Sequence, residues 1–240
     1  MDALVFAAGR GTRLRPHTDE TPKPLLDVAG DPILARCLRA VVDPVDRIVL
    51  VVGYRAREIR ERFGDSFAGT PIEYAHQERR EGLAHAVLAA AEFLDGTVLT
   101  VNGDNVFDGD LSSLVERHRK RGVDGTVLLD RVSRNEAEAT ARCDLAADGT
   151  VREIETAVGD RPEAGYIAAG AGTHDAKALV SACRAVERSE NGEYELTEAL
   201  AALVDEGKQY VGVEPDGWHL NVNTPADLER ARERFANSEP

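Results

Sequence analysis

The chain has 240 residues, 42% apolar and 30% charged, with a net charge of −14. A surface this acidic repels nucleic acid and anionic membranes, so neither is an expected partner. The three cysteines, Cys37, Cys143 and Cys183, are dispersed with no C-x-x-C pair, which argues against a zinc site or disulfide framework and for a reducing, cytoplasmic setting.

In chain order, Ala3–Ala7 reads as a short buried strand. Pro32–Val42 predicts a helix with Asp31 as its N-cap and Pro32 at the first helical position. The apolar run Arg47–Val52 predicts a strand, Arg55–Phe63 a polar-faced helix and Ile72–Ala75 another strand. Gly82–Leu94 predicts an alanine-rich helix, Thr97–Val101 a buried strand, Leu111–Arg121 a helix and Gly125–Asp130 a strand. Strands alternating with helices predict a largely parallel sheet covered on both faces. The pattern then changes: Arg142–Ala146 and Val151–Glu155 flank Asp148-Gly149, a hairpin signal. Tyr166–Ala171 reads as a strand, Ala176–Arg188 and Leu196–Glu206 as helices, and Tyr210–Val213 as a strand. Pro225–Phe235 is a final helix capped by Thr224, with a frayed tail over 236–240. No apolar run reaches the roughly 18 residues of a membrane span, and the N-terminus reads as a strand, not a signal peptide.

The chemistry concentrates in the first turn. The strand runs into Ala8-Gly9-Arg10-Gly11-Thr12-Arg13-Leu14. A dinucleotide fingerprint needs a third glycine where Leu14 stands, and a Walker A loop needs a Gly-Lys-Ser/Thr that is absent. What remains is a loop of free N–H groups ending in Thr12 and Arg13, suited to phosphates. Lys23 follows between Pro22 and Pro24, whose rings stiffen its support and push their neighbours toward extended backbone. Only four of the 29 basic residues are lysines. Acid excess with arginine in place of lysine is the pattern of a salt-adapted protein, and such a chain has kept a lysine here. Asp104 ends a predicted central strand, where α/β sheets bind ligands, and a hard carboxylate suits Mg²⁺ beside phosphate. Asn221 and Asn223 offer a second oxygen ligand near the end of the chain. Gln77 carries an amide able to read a base edge, and Gly82 allows close backbone approach. His85 reads as a packing or surface residue.

Taken together, Gly9-Arg10-Gly11-Thr12-Arg13-Leu14, Pro22-Lys23-Pro24-Leu25-Leu26, Gln77 with Gly82-Leu83-Ala84-His85-Ala86, and Gly103-Asp104 occur in one order. That order resembles the nucleotidyltransferase family that makes nucleoside-diphosphate sugars. Asn221-Val222-Asn223-Thr224-Pro225-Ala226-Asp227-Leu228 is similar to the family's closing motif. The resemblance implies an α/β fold: a Rossmann-like three-layer domain over 1–235, with a mostly parallel mixed sheet and an inserted β-hairpin lid. It implies a nucleotide-binding half over about 1–130 and an acceptor-binding half over about 131–235. It also implies Mg²⁺, a nucleoside triphosphate (UTP or dTTP) and a sugar 1-phosphate as reactants, and it leaves room for a homo-oligomer. By this match Arg13 holds the β- and γ-phosphates, Lys23 bridges the α-phosphate and the attacking phosphate, and Asp104 holds the metal with Asn221 or Asn223. Ala8, Gly9, Gly11, Thr12, Gln77 and Gly82 contact the nucleotide.

The departures fall on the acceptor side. A Glu-Lys-Pro common after the hairpin is here Glu155-Thr156-Ala157, with Arg161-Pro162 a shifted candidate. A Tyr-Gly pair before the hairpin is Thr140-Ala141, and the usual metal-binding aspartate is Asn221. These changes keep two alternatives open: a CTP-dependent transferase for a non-sugar alcohol phosphate, and a non-catalytic nucleotide-sugar sensor.

Overall fold

The computed structural model describes residues 1–132, 141–156 and 165–238. The chain opens with β1 (Asp2–Ala7), two 3-10 turns (Thr12–Leu14 and Lys23–Leu25), β2 (Asp27–Val28), β3 (Asp31–Pro32) and α1 (Ile33–Val42). Next come β4 (Arg47–Val52), α2 (Ala56–Phe63), β5 (Ser66–Phe67), β6 (Thr70–His76), α3 (Leu83–Ala89), β7 (Thr97–Asn102), β8 (Asn105–Phe107), α4 (Ser112–His118) and β9 (Gly125–Val132). The remainder is β10 (Arg142–Leu145), β11 (Val151–Glu155), β12 (Gly165–Asp175), α5 (Ala176–Ala185), α6 (Leu196–Asp205), β13 (Tyr210–Val213), β14 (His219–Asn221) and α7 (Pro225–Ser238).

Four strands run parallel in the order β7–β1–β4–β6, with Val5 opposite both Leu50 and Val101. β12 lies antiparallel against β7 and carries β9 and β10 in turn. The β10–β11 hairpin is thus an edge of the main sheet, with Cys143 opposite Tyr166. Both faces of β1 are buried, which is why its sequence is a continuous apolar run. Ala3, Val5 and Ala7 join the core with side chains of α1, α2 and α4, while Leu4 and Phe6 join the core with α3, α5 and α6. The result is the expected three-layer arrangement.

A third, smaller core collects Leu14, Leu26, Val28, Ile33, Val106, Val222, Leu228 and Ala231. It fastens the N-terminal turns to the β8–β14 ribbon and to α7. No helix among the described residues is long and apolar enough to cross a membrane.

Several boundaries differ from the expected ones for visible reasons. Asp31 and Pro32 form a short ribbon with Asp27 and Val28, so α1 begins at Ile33. Asp31 does not cap α1: it accepts from Arg39 Nη1 at 2.9 Å, and this bond is the main reason its carboxyl lies below the ordinary range. The alanine-rich helix ends at Ala89 and is followed by a 3-10 turn, Ala91–Phe93, whose Phe93 carbonyl accepts from Arg47 at 2.8 Å. The strand expected at Tyr166–Ala171 is part of an 11-residue strand that bends where the register shifts between Ala168 and Gly172. The last helix continues to Ser238, beyond the predicted start of the tail. Phe235 packs edge-on against Trp218 at 4.8 Å, and the Arg36 guanidinium lies over its other side, which anchors that final turn.

A polar network lies within this core. His174 places Nε2 3.0 Å from Thr100 Oγ1 and Nδ1 3.0 Å from Tyr210 Oη, with only 1% of the residue exposed. Burial pulls the His174 imidazole down to about 3 from an ordinary 6.5. Between those values the unfolded chain binds the extra proton and the native chain does not, so stability falls as pH drops through this window. Wild-type urea midpoints should therefore decline from about pH 6.5 toward pH 4. The variant His174→Gln should start less stable yet decline less steeply, and equal slopes would remove His174 as the cause.

Candidate functional site

β1 and β7 are parallel neighbours, so the loops that follow them open on the same edge of the sheet. After β1, Gly11 takes a left-handed conformation (φ 65°), and its carbonyl accepts from Thr18 Oγ1 at 2.8 Å. A β-carbon at Gly11 would lie 2.7 Å from Lys23 Cβ, so the glycine makes room for the lysine. Pro22 is extended, as its ring predicts. Lys23 itself starts a 3-10 turn and is not extended as expected, with Leu25 N donating to the Pro22 carbonyl at 2.8 Å. After β7, the Gly103 N–H donates to the Phe6 carbonyl at 2.9 Å, and Val222 N–H donates to the Asp104 carbonyl at 3.0 Å. These bonds bring the closing motif alongside Asp104.

Three distant parts of the chain meet in one ionic cluster. Lys23 Nζ donates to Asp104 Oδ2 at 2.7 Å and to Asn223 Oδ1 at 2.9 Å. Arg13 Nη2 donates to the same Asn223 oxygen at 3.3 Å. The Lys23 side chain is one-tenth exposed, and Asp104 Oδ1 is buried without a partner. Asn223 is held in turn by Asp227, whose Oδ2 accepts from the N–H groups of Asn223 and Thr224 at the start of α7. The cluster borders a cleft of about 430 Å³ that is also lined by Gly9, Gly11 and Thr12. A polar, cation-bearing cleft with exposed loop backbone can hold a polyphosphate.

The structure thus brings Gly9, Gly11, Thr12, Arg13, Lys23, Asp104 and Asn223 together. It separates the two asparagines: Asn221 pairs with Asn105 across the β8–β14 ribbon and lines a second cavity of about 550 Å³, its Oδ1 buried without a partner. Ala8 is buried behind the loop, its carbonyl accepting from Tyr54 N–H at 3.2 Å. Gln77 is 4% exposed and turns its Nε2 to the Gly82 carbonyl at 3.0 Å and to His85 Nδ1 at 3.2 Å. Gln77 therefore pins the start of α3, where Gly82 (φ 103°) lies so close to the Tyr194 backbone that a β-carbon would overlap it. His85 is half-buried and serves this contact. Arg161 and Pro162 lie outside the described residues.

Glu193 also faces the cleft. Burial and neighbouring Glu195 raise its carboxyl above the ordinary range, opposed by Arg13. One glutamate among several in Glu190–Glu198 carried no sequence signal of this placement. The second cavity adjoins the first across Leu83 and is lined by Asn102, Asp130, Gly170, Trp218 and His219. The Asp130 carboxyl is held below its ordinary range, chiefly by its hydrogen bond with His219.

Residues 2–237 match the family described as nucleotidyl transferase. The UTP–glucose-1-phosphate uridylyltransferase AglF of Haloferax volcanii is 36% identical over 98% of this chain and 96% of its own length. The bifunctional protein GlmU of Methanococcus maripaludis is 32% identical over 99% of this chain, which spans 55% of that protein. A solved UDP-glucose pyrophosphorylase complexed with UDP-glucose has a TM-score of 0.83 at 17% identity, covering 99% of both chains, a likeness of fold.

The small third core supports the site directly, since Leu14, Val106 and Val222 lie within two residues of Arg13, Asp104 and Asn223. Leu14 is fully buried. Leu14→Ala should cost roughly 2–5 kcal/mol in urea unfolding, the usual loss for a buried leucine. A loss below about 1 kcal/mol would mean that this core does not hold the loop.

Proposed function

The chain belongs to the nucleotidyl transferase family, and from that premise we propose that it transfers the nucleoside monophosphate of UTP or dTTP to a sugar 1-phosphate, giving a nucleotide sugar and pyrophosphate. The observation that carries this reading is the cluster of Arg13, Lys23, Asp104 and Asn223 beside an open cleft at the edge of the parallel strands. Relatives named for this reaction support it.

In this reading an acceptor phosphate oxygen attacks the α-phosphorus in line, the bond to the α–β bridging oxygen breaks, and pyrophosphate leaves. The attacking oxygen is already ionised, so no side chain has to remove a proton. The work left to the protein is positioning and charge neutralisation. Arg13 holds the β- and γ-phosphates as charge moves onto the leaving group. Lys23 holds the α-phosphate and the incoming phosphate together, two anions that otherwise repel. The loop N–H groups near Gly9 and Gly11 orient the triphosphate, and the second cavity receives the sugar.

A divalent cation fits the site. Asp104 and Asn223 supply hard oxygen atoms, Asp104 Oδ1 lacks a partner, and a cationic ammonium already lies between the two residues. Among the described residues no group of three or more His, Cys, Asp or Glu is placed to hold a metal. Two protein oxygens are enough for Mg²⁺, which keeps several waters and takes substrate phosphates as ligands. Bound by Asp104 and Asn223, Mg²⁺ would neutralise phosphate charge and orient phosphate oxygens. The same reading places the enzyme in the cytoplasm on its dispersed cysteines and in a salt-adapted cell on its acidic, lysine-poor composition.

The test is pyrophosphate release with Mg²⁺ at low and molar salt, pairing each of four triphosphates with glucose 1-phosphate and other alcohol phosphates. Release with UTP or dTTP and a sugar 1-phosphate supports the proposal. Release only with CTP and a non-sugar phosphate, or triphosphate binding without release, overturns it. In the productive pair, Arg13→Ala and Lys23→Ala should each lower kcat/KM by about 100- to 1,000-fold, roughly 3–4 kcal/mol of transition-state stabilisation.

A further inference from the structure

We propose that Lys23 is a built-in counterion that keeps the cation site of Asp104 closed until a triphosphate draws it away. The inference rests on the reading above that Asp104 binds the metal. In the structure neither oxygen of this carboxylate is open. Oδ2 carries the Lys23 ammonium at 2.7 Å, and Oδ1 is buried without a partner. The second ligand oxygen, Asn223 Oδ1, is taken by the same ammonium at 2.9 Å and by Arg13 at 3.3 Å. One side chain thus occupies Asp104 Oδ2 and Asn223 Oδ1, two of the oxygens that a divalent cation would use.

The support of Lys23 makes this occupancy specific. Its backbone sits in a 3-10 turn bracketed by Pro22 and Pro24, and its stem passes close against Gly11. The ammonium is the far end of an arm fixed at its backbone. A metal ion arriving alone meets a like charge and ligands already spoken for. A triphosphate changes the balance, because its oxygens offer the ammonium new partners within the same cleft. When Lys23 moves to phosphate, Asp104 Oδ2 is left as an unpaired carboxylate oxygen beside the buried Oδ1, and Asn223 Oδ1 loses one of its two donors. A buried charge stripped of its partner is unfavourable, so the site then has a strong demand for another cation. Metal and nucleotide binding are thereby coupled, and linkage makes the coupling mutual: each raises the affinity for the other.

The test counts protein-bound Mn²⁺ by electron paramagnetic resonance, so it needs no turnover. Wild-type protein should bind Mn²⁺ weakly alone and at least tenfold more tightly with UTP present and no acceptor. Lys23→Met, with no nucleotide, should bind Mn²⁺ at least tenfold more tightly than the wild type, and Mn²⁺ should raise its Tm but not the wild-type Tm. Lys23→Arg should keep the site closed, and adding Asp104→Asn to Lys23→Met should abolish the gain. Lys23→Gln provides the same comparison if methionine impairs folding. If the Lys23 variants bind Mn²⁺ no more tightly than the wild type, while UTP still brings Mn²⁺ into wild-type protein, the counterion proposal is wrong and the metal site stands. If UTP brings no Mn²⁺ into the wild type through Asp104, the metal reading itself fails and the proposal falls with it.

Discussion

The contact between Lys23 and Asp104 organises the molecule. It joins residues 81 apart in sequence, and through Asn223 it reaches 200 residues from the lysine. A chain with a net charge of −14 has to gather positive charge locally before it can hold a polyanion. A partly buried ion pair contributes little net stability, because desolvation offsets the attraction. Its value lies in holding the cations at the border of the cleft, within reach of arriving substrate charge.

Much of the surrounding structure keeps that contact in place. The parallel pairing of β1 with β7 sets the glycine loop beside Gly103-Asp104. The small apolar core under α7 ties Leu14, Val106 and Val222 together, each next to or near a polar member of the cluster. Asp227 caps the start of α7 and so fixes the backbone of Asn223. Beyond Leu83 a second cavity opens between the β12 bend and the β8–β14 ribbon, with Arg131, Arg230 and Arg234 among its lining residues. Its walls combine Trp218 with Asn102, Asp130, His219 and these arginines, a mixed apolar, hydrogen-bonding and charged lining suited to a polyhydroxy group that carries a phosphate. On the proposed reading, triphosphate and acceptor sugar occupy adjoining but differently built spaces.

Sequence made some of this legible and not the rest. The alternation of apolar runs and helices is local information, so the layered α/β architecture and the positions of most elements could be read directly. The glycine loop, Lys23 and Asp104 were legible because the backbone and charge requirements of phosphate binding leave few residue choices. Asn221 and Asn223 could not be told apart, since they lie two residues apart in one motif; in the structure Asn223 Oδ1 meets Lys23 and Arg13, while Asn221 pairs with Asn105 and keeps a buried, unpartnered Oδ1. Gln77 looked like a base-reading amide, but its Nε2 hydrogens serve Gly82 and His85, a contact visible only once α3 is placed. Asp31 and Pro32 carried a helix-start signature that lost to the ion pair with Arg39 and to the small ribbon. Glu193 reaches the cleft through the Tyr194 contact with Ala84, where Ala84 N–H donates to the Tyr194 carbonyl at 3.0 Å, a tertiary relation without a sequence pattern.

The most direct measurement of the central claim is a ³¹P nuclear magnetic resonance time course of the protein with Mg²⁺, UTP or dTTP, and glucose 1-phosphate. The account requires the sugar 1-phosphate signal to fall as pyrophosphate and the paired diphosphate signals of a nucleotide sugar rise in equal amounts. Loss of triphosphate to monophosphate or inorganic phosphate with the sugar 1-phosphate untouched would contradict it, because the cluster would then be serving hydrolysis and not transfer.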